Sequence, residues 1–133
     1  MPLIATHPDS VEPLLSEGLE QISHLTGEPV DVDHVMAQLR APGSPFIFVD
    51  ESLTGFVILR TAQSFLVPSD DLYVLSAYKR GGNGMAEYDA EIAEIAQQIG
   101  ADKVAFRTRR PALVRLSSRH GYSVDAQELT KEV

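Results

Sequence analysis

The 133-residue chain contains no cysteine. It therefore has no disulfide framework, no thiolate nucleophile and no cysteine-ligated metal site. Long apolar runs are missing as well, since no stretch approaches the roughly 20 residues a membrane-spanning helix needs. Residues Met1 to Thr6 carry no basic region ahead of an apolar run, so no secretory signal is expected. These absences together lead us to expect a soluble, cytoplasmic protein. Its four histidines, His7, His24, His34 and His120, share no ligand spacing such as His-x-x-x-His, which argues against a metal centre. Cations are scarce too: residues 1–78 hold only Arg40 and Arg60. With a formal net charge of −8, general nucleic-acid binding is not expected.

The cations that do occur are concentrated. Lys103, Arg107, Arg109, Arg110, Arg115 and Arg119 fall within 103–122, a segment without a single acid. Such a patch on an acidic chain suits an anionic ligand or partner, or equally a solvated face that balances acidic neighbours.

Apolar periodicity gives one domain over 1–133 with the order β-α-α-β-β-β-α-β-α-β, a mixed α/β class. Val11, Leu14, Leu15, Leu19, Ile22 and Leu25 recur at helical spacing, with Asp9 or Ser10 as N-cap and Gly27 beyond the end. A shorter helix fits Val32, Val35, Met36 and Leu39, capped by Asp31 and stopped at Ala41-Pro42-Gly43. Phe46–Val49 and Gly55–Leu59 read as a hairpin around the polar turn Asp50-Glu51-Ser52. Leu72–Tyr78 reads as a buried strand, and the preceding Pro-Ser-Asp-Asp, with Asp70 and Asp71, as a turn. Met85, Tyr88, Ile92, Ile95 and Ile99 form the stripe of a third helix ending at Gly100. Val104–Arg107 is the next strand, Pro111 opens a last helix through Leu116, and a short strand is expected after Tyr122.

Between the central strand and the third helix lies Tyr78-Lys79-Arg80-Gly81-Gly82-Asn83-Gly84. Backbone amides converge at such a junction and the helix dipole adds partial positive charge, which makes an anion site suited to a pyrophosphate.

This loop in this element order resembles the GNAT superfamily of acyl-CoA-dependent N-acetyltransferases, which carry Gln/Arg-x-x-Gly-x-Gly/Ala there. Lys79 stands in the Gln/Arg position, with Gly82 and Gly84 in the glycine positions. Leu53-Thr54-Gly55-Phe56 is similar to the family's second hairpin, and Leu116 with Gly121-Tyr122 to the end of its fourth helix. The resemblance implies a GNAT-like α/β fold, a mixed, mostly antiparallel twisted sheet flanked by about four helices. It implies acetyl-CoA as cofactor, with pantetheine along Leu75, Ser76, Ala77 and Tyr78 and phosphate at Lys79, Arg80, Gly81, Gly82, Asn83, Gly84 and Met85. The partners implied are acyl-CoA and a small amine or protein amino group.

Two departures stand against it. The position of the family's general-acid tyrosine falls on Ser117, and the chain after Gly121 leaves little room for a final hairpin, so an open sheet edge suited to a homodimer is expected. Replacement acids are Tyr122 and Tyr88; candidate bases are Asp71 or Asp70, or Ser76 and Tyr78 through water. The anionic N-terminal half suggests an amine held in an acidic pocket. Ser117 and His120 on one helix face do not make a hydrolase array. The chain is also similar to small GNAT-like proteins of tailed bacteriophages, through its Ala-Tyr strand end, acidic third helix and Arg107-Thr108-Arg109-Arg110-Pro111. That second resemblance implies a catalytically silent protein for particle assembly or partner binding, in the host cytoplasm or the virion. Both readings stand at this point.

Overall fold

A computed structural model describes residues 2–43 and 45–133. Strand β1 (Leu3–Thr6) leads through a 3₁₀ turn (Pro8–Val11) into α1 (Glu12–Thr26) and α2 (Val32–Arg40). Three strands follow, β2 (Phe46–Asp50), β3 (Gly55–Gln63) and β4 (Asp70–Lys79), then α3 (Gly84–Ile99), β5 (Lys103–Phe106) and α4 (Pro111–Ser118). The strands form one sheet in the order β1-β2-β3-β4-β5. All neighbours are antiparallel except β4 and β5, which α3 joins as a parallel crossover.

Local chemistry accounts for most boundaries. Asp31 accepts from the His34 amide to cap α2, and Asn83 accepts from the Ala86 amide to cap α3. α1 and α3 both end on left-handed glycines, Gly27 and Gly100. The expected cap of α1 at Asp9 or Ser10 is not used. His7 caps the 3₁₀ turn through the Asp9 amide, and α1 begins after Val11 with Pro13 in its first turn, where the missing N–H costs nothing.

Two other expectations are corrected. Asp70 and Asp71 are strand rather than turn, because the β3–β4 ladder extends to Gln63↔Asp70 and Ala62↔Asp71. No strand follows Tyr122 among the described residues; the tail instead lies beside β5 through Lys103–Asp125 (3.4 Å) and Arg107–Glu128 (2.6 Å).

The sheet separates two cores. On one face Leu15, Leu19, Met36, Ile47, Phe56 and Ile58 pack beneath α1 and α2; on the other Val57, Leu59, Leu72, Val74, Tyr88 and Ile92 pack beneath α3. Phe56 is fully buried, which is worth about 2–3 kcal/mol. Its ring lies so close to α1 that a Cβ at Gly18 would stand 2.3 Å from it.

The charged exception among the described residues is Asp50, 0 % exposed at the end of β2. The hairpin reading makes it the first residue of a polar turn. Its Oδ1 accepts from the Thr54 amide (2.9 Å), and its Oδ2 accepts from the Tyr88 hydroxyl (2.6 Å), Lys79 Nζ (3.0 Å) and the Thr54 hydroxyl (3.0 Å). Burial alone would raise its pKa, but these donors outweigh that and hold it well below the carboxylate range, while burial and the same carboxylate push Tyr88 up. Gly55 is required beside this cluster, since a Cβ there would meet the Tyr88 hydroxyl at 2.0 Å and the Tyr78 carbonyl at 2.5 Å.

Because the folded pKa of Asp50 lies below its unfolded value, its contribution to stability is fully present above about pH 4 and is lost as the pH falls below that. Asp50→Ala, which leaves Lys79 buried without its counter-charge, is expected to cost about 3 kcal/mol or more in urea unfolding at pH 7. The gap to the parent should narrow as the titration is repeated from pH 4 downward, because the unfolded chain's carboxylate then takes up a proton while the folded one stays charged.

Candidate functional site

The groove comes from a strand that is paired on both sides over only half its length. Against β3, β4 is paired from Asp70 to Lys79, with a bulge at Leu75, because Ile58 faces Ser76 while Leu59 faces Val74. Against β5, pairing runs from Asp71↔Lys103 to Val74↔Phe106 and stops. The chain then turns away through Arg107–Arg110 into α4, so Leu75 to Tyr78 keep a free edge toward β5. Two adjoining clefts, of about 440 and 550 Å³, follow this segment and share Ile22, Ala77, Met85, Arg110 and Leu113. They amount to one groove from the glycine loop to the end of β5.

At the loop end, the backbone turns on Gly81, whose φ is 72°. The Arg80 amide donates to the Thr54 carbonyl and the Gly82 amide to that of Lys79, which fixes the loop on the hairpin. Asn83 takes the Ala86 amide, and Gly84 and Met85, both lining the cleft, contribute first-turn amides a helix cannot satisfy by itself. Gly84 serves packing before it serves any ligand: a Cβ there would stand 2.5 Å from the Ala77 carbonyl carbon and the Tyr78 nitrogen. At Gly82 a Cβ meets only the Lys79 side chain, at 3.3 Å.

Neither cation of the loop is free for a phosphate. Lys79 Nζ sits on Asp50 and on the Thr54 hydroxyl (2.7 Å). Arg80 grips Glu17 of α1 with two bonds of 2.7 and 2.9 Å, and the Tyr78 hydroxyl donates to the same carboxylate at 2.8 Å. Arg80 and Tyr78 hold Glu17 below the usual carboxylate range; burial, then Glu17, raises Tyr78. The cation that lines both clefts without an ion-pair partner among the described residues is Arg110, at the N-terminus of α4. Sequence reasoning placed Arg110 in the basic segment but not in the site, because only the turn after β5 brings it beside the loop.

The second cleft is lined by Leu75, Ser76, Tyr73, Arg60, Glu28 and Arg109 among others. Ser76 Oγ is buried without a hydrogen-bond partner among the described residues, and a buried orphan of this kind calls for an explanation such as a water or a ligand. Four arginines and two glutamates line this cleft, so the acidic pocket inferred from the anionic N-terminal half is not found here. Of the acids of that half only Glu28 lines this cleft, Asp50 and Glu17 being engaged as described.

The proposed catalytic residues are not brought together. Asp71 lies near the start of β4, 3.9 Å from Lys103, at the opposite end of the strand from the loop. Ser117 is 5 % exposed, one helical turn beyond Leu113, and lines neither cleft. Tyr122 packs edge-on against Phe106 at 5.1 Å, outside both linings. Burial, then the charge and hydrogen bond of Asp89, raises its pKa and disfavours loss of its proton. Leu75 to Tyr78 and Gly81 to Met85, in contrast, line the groove as a continuous wall, with Lys79 between them.

No family model matches the chain, and no curated protein does. Solved structures do. The ribosomal-protein-alanine N-acetyltransferase of Brucella melitensis biovar Abortus 2308 superposes with a TM-score of 0.72 at 17% identity, over 98% of this chain and 97% of its own. An acetyltransferase of Trypanosoma brucei gives 0.66 at 16% identity, covering 98% of each chain. An aminoglycoside acetyltransferase from an uncultured soil metagenomic sample, solved in complex with sisomicin, gives 0.68 at 10% identity over 98% of this chain and 93% of that one. Likeness along nearly the whole of each chain establishes the GNAT-like α/β fold: a mixed five-stranded sheet with four helices.

The glycine contacts separate two positions the motif treats alike. Gly84→Ala should lose about 1–3 kcal/mol in thermal or urea unfolding, since α3 must move off β4 to admit the methyl group. Gly82→Ala should cost less, about 1 kcal/mol or below, because its Cβ meets only Lys79 Cγ at 3.3 Å and a shift of a few tenths of an ångström relieves that contact.

Proposed function

We propose that the protein is an acyl-CoA-dependent N-acetyltransferase that moves an acetyl group from acetyl-CoA to a primary amine. One observation carries this reading: the open groove that runs from the glycine loop along the unpaired edge of Leu75 to Tyr78. The residues fit the ligand in chemistry as well. The first-turn amides of Gly84 and Met85, together with Arg110, suit a pyrophosphate. The free edge suits an extended pantetheine arm carrying amide groups, and the orphan Ser76 hydroxyl lies on the same segment. Lys79 and Arg80 act on the loop's shape rather than on the phosphate, through Asp50 and Glu17.

Acetyl-CoA would supply the activated acyl group. The chain's task is to orient it and to handle protons. Attack by nitrogen requires a neutral amine, and the carboxylates that line the groove are Glu28 and Glu128. Glu28, held by Arg109 at 2.7 Å, is assigned to the amine side of the reaction. No side chain is assigned to protonate the leaving thiolate, because Ser117 and Tyr122 line neither cleft; a water in the open groove serves that step.

That missing phenol is the observation favouring a second reading, a GNAT-like protein without catalysis that binds a partner, as the phage resemblance implies. The two readings part on a calorimetric titration with acetyl-CoA and free CoA. One-to-one binding in the micromolar range is expected, weakened about tenfold in Arg110→Ala through loss of a charge-assisted hydrogen bond. No heat at millimolar CoA would remove the transferase reading and leave the second.

A further inference from the structure

The second cleft holds more positive charge than acetyl transfer by itself requires. Of its four arginines, Arg109 is neutralised by Glu28 at 2.7 Å and Arg107 by Glu128 at 2.6 Å. Arg110 belongs to the loop end, where it lines the first cleft too. Arg60 is left over. It has no carboxylate partner among the described residues, and its guanidinium is seated on the ring of Tyr73, 5.5 Å from the centroid.

That placement follows from the ladder. Arg60 in β3 is the register partner of Tyr73 in β4, and both line the second cleft together with Thr26, Glu28 and Val30 at and after the end of α1. The glycine loop follows Lys79, six strand residues farther on, or about 20 Å along the strand. A pyrophosphate bound at the loop is therefore out of reach of Arg60. Stacking on an aromatic face restricts a guanidinium while leaving its fork of N–H donors available, an arrangement suited to two oxygens of one anion.

We propose that Arg60 binds an anionic group on the acceptor, so that the substrate class is a primary amine that also bears a carboxylate or a phosphate. The identity of the reaction rests on the transferase reading above; the anion site does not. The anion of such a molecule meets the unpaired charge of Arg60, while its amine lies toward Glu28, whose carboxylate is shared with Arg109. Polycationic amines face a lining whose unpaired charge is positive and are poor ligands.

The test uses matched amines that differ only in the anion: O-phosphoethanolamine against ethanolamine, and β-alanine against β-alaninamide. Each is titrated into the ¹⁵N-labelled protein, and amide shifts are followed by NMR. The anionic member of each pair should bind about tenfold more tightly or better, with shifts centred on Arg60, Tyr73 and Thr108. In Arg60→Gln that preference should fall to about threefold or less, and in Arg119→Gln, which lines neither cleft, it should persist. Affinity for acetyl-CoA should be the same in Arg60→Gln as in the parent. Equal binding of the neutral amines, an unchanged preference in Arg60→Gln, or a loss of acetyl-CoA affinity in that variant would each overturn the proposal, the last by giving Arg60 to the CoA phosphates. If the anion preference holds but acetyl-CoA does not bind, the transferase reading fails alone. If acetyl-CoA binds, the cysteine-free chain allows transfer to each amine to be followed by thiol release without background, and kcat/KM should rank the amines in the same order.

Discussion

Much of this structure depends on one buried carboxylate. Asp50 ends β2 and gathers donors from the following turn, from the end of β4 and from α3. Those are the pieces that must meet for a groove to exist at the glycine loop. A buried charge without partners would cost several kcal/mol, so the hairpin turn, Lys79 and Tyr88 are constrained to arrive together. The same cluster supports a left-handed Leu53, whose φ of 55° an L-residue adopts only against steric resistance. Gly55 is then the only residue type that admits the Tyr88 hydroxyl.

With the loop anchored in this way, β4 has two regimes. Its first half is ordinary sheet, paired on both sides, and its outer residues are part of a ladder that resists opening. Its second half is paired only to β3, bulged at Leu75, and open toward the turn after β5. The bulge inserts one residue, re-aims the side chains that follow, and leaves Ser76 in the groove wall with an unsatisfied hydroxyl. An exposed edge is ordinarily a hazard for strand pairing with other chains. Here it is recessed between α1, α3 and α4, whose residues Ile22, Met85 and Leu113 wall the groove.

The charge pattern is likewise resolved by position. Lys103, Arg107 and Arg109 are balanced by Asp125, Glu128 and Glu28, each distant in sequence. This is the solvated, self-neutralising face that a run of basic residues ordinarily becomes, and such exposed pairs contribute little to stability. Among the cations that line the groove, Arg110 at the loop and Arg60 on Tyr73 are left without an ion-pair partner among the described residues, and they carry its capacity to bind anions. Bulk charge was a poor guide: the acidic half of the chain does not make an acidic cleft.

The element order as far as the last helix, the third helix with its stop at Gly100, and the glycine loop were legible in the sequence, because periodicity, capping and positive φ act over a few neighbouring residues. So was the GNAT-like fold, through the order and spacing of those features. What the sequence could not disclose is which polar residues would be buried and which cations would remain unpaired. Asp50 looked like turn chemistry until Tyr88, 38 positions away, closed over it. Lys79 looked like a phosphate ligand until the hairpin claimed it. Packing alone decided that Ser117 and Tyr122 would line neither cleft. Each of these outcomes turns on contacts between distant segments, whose distances and desolvation exist only once the chain has folded.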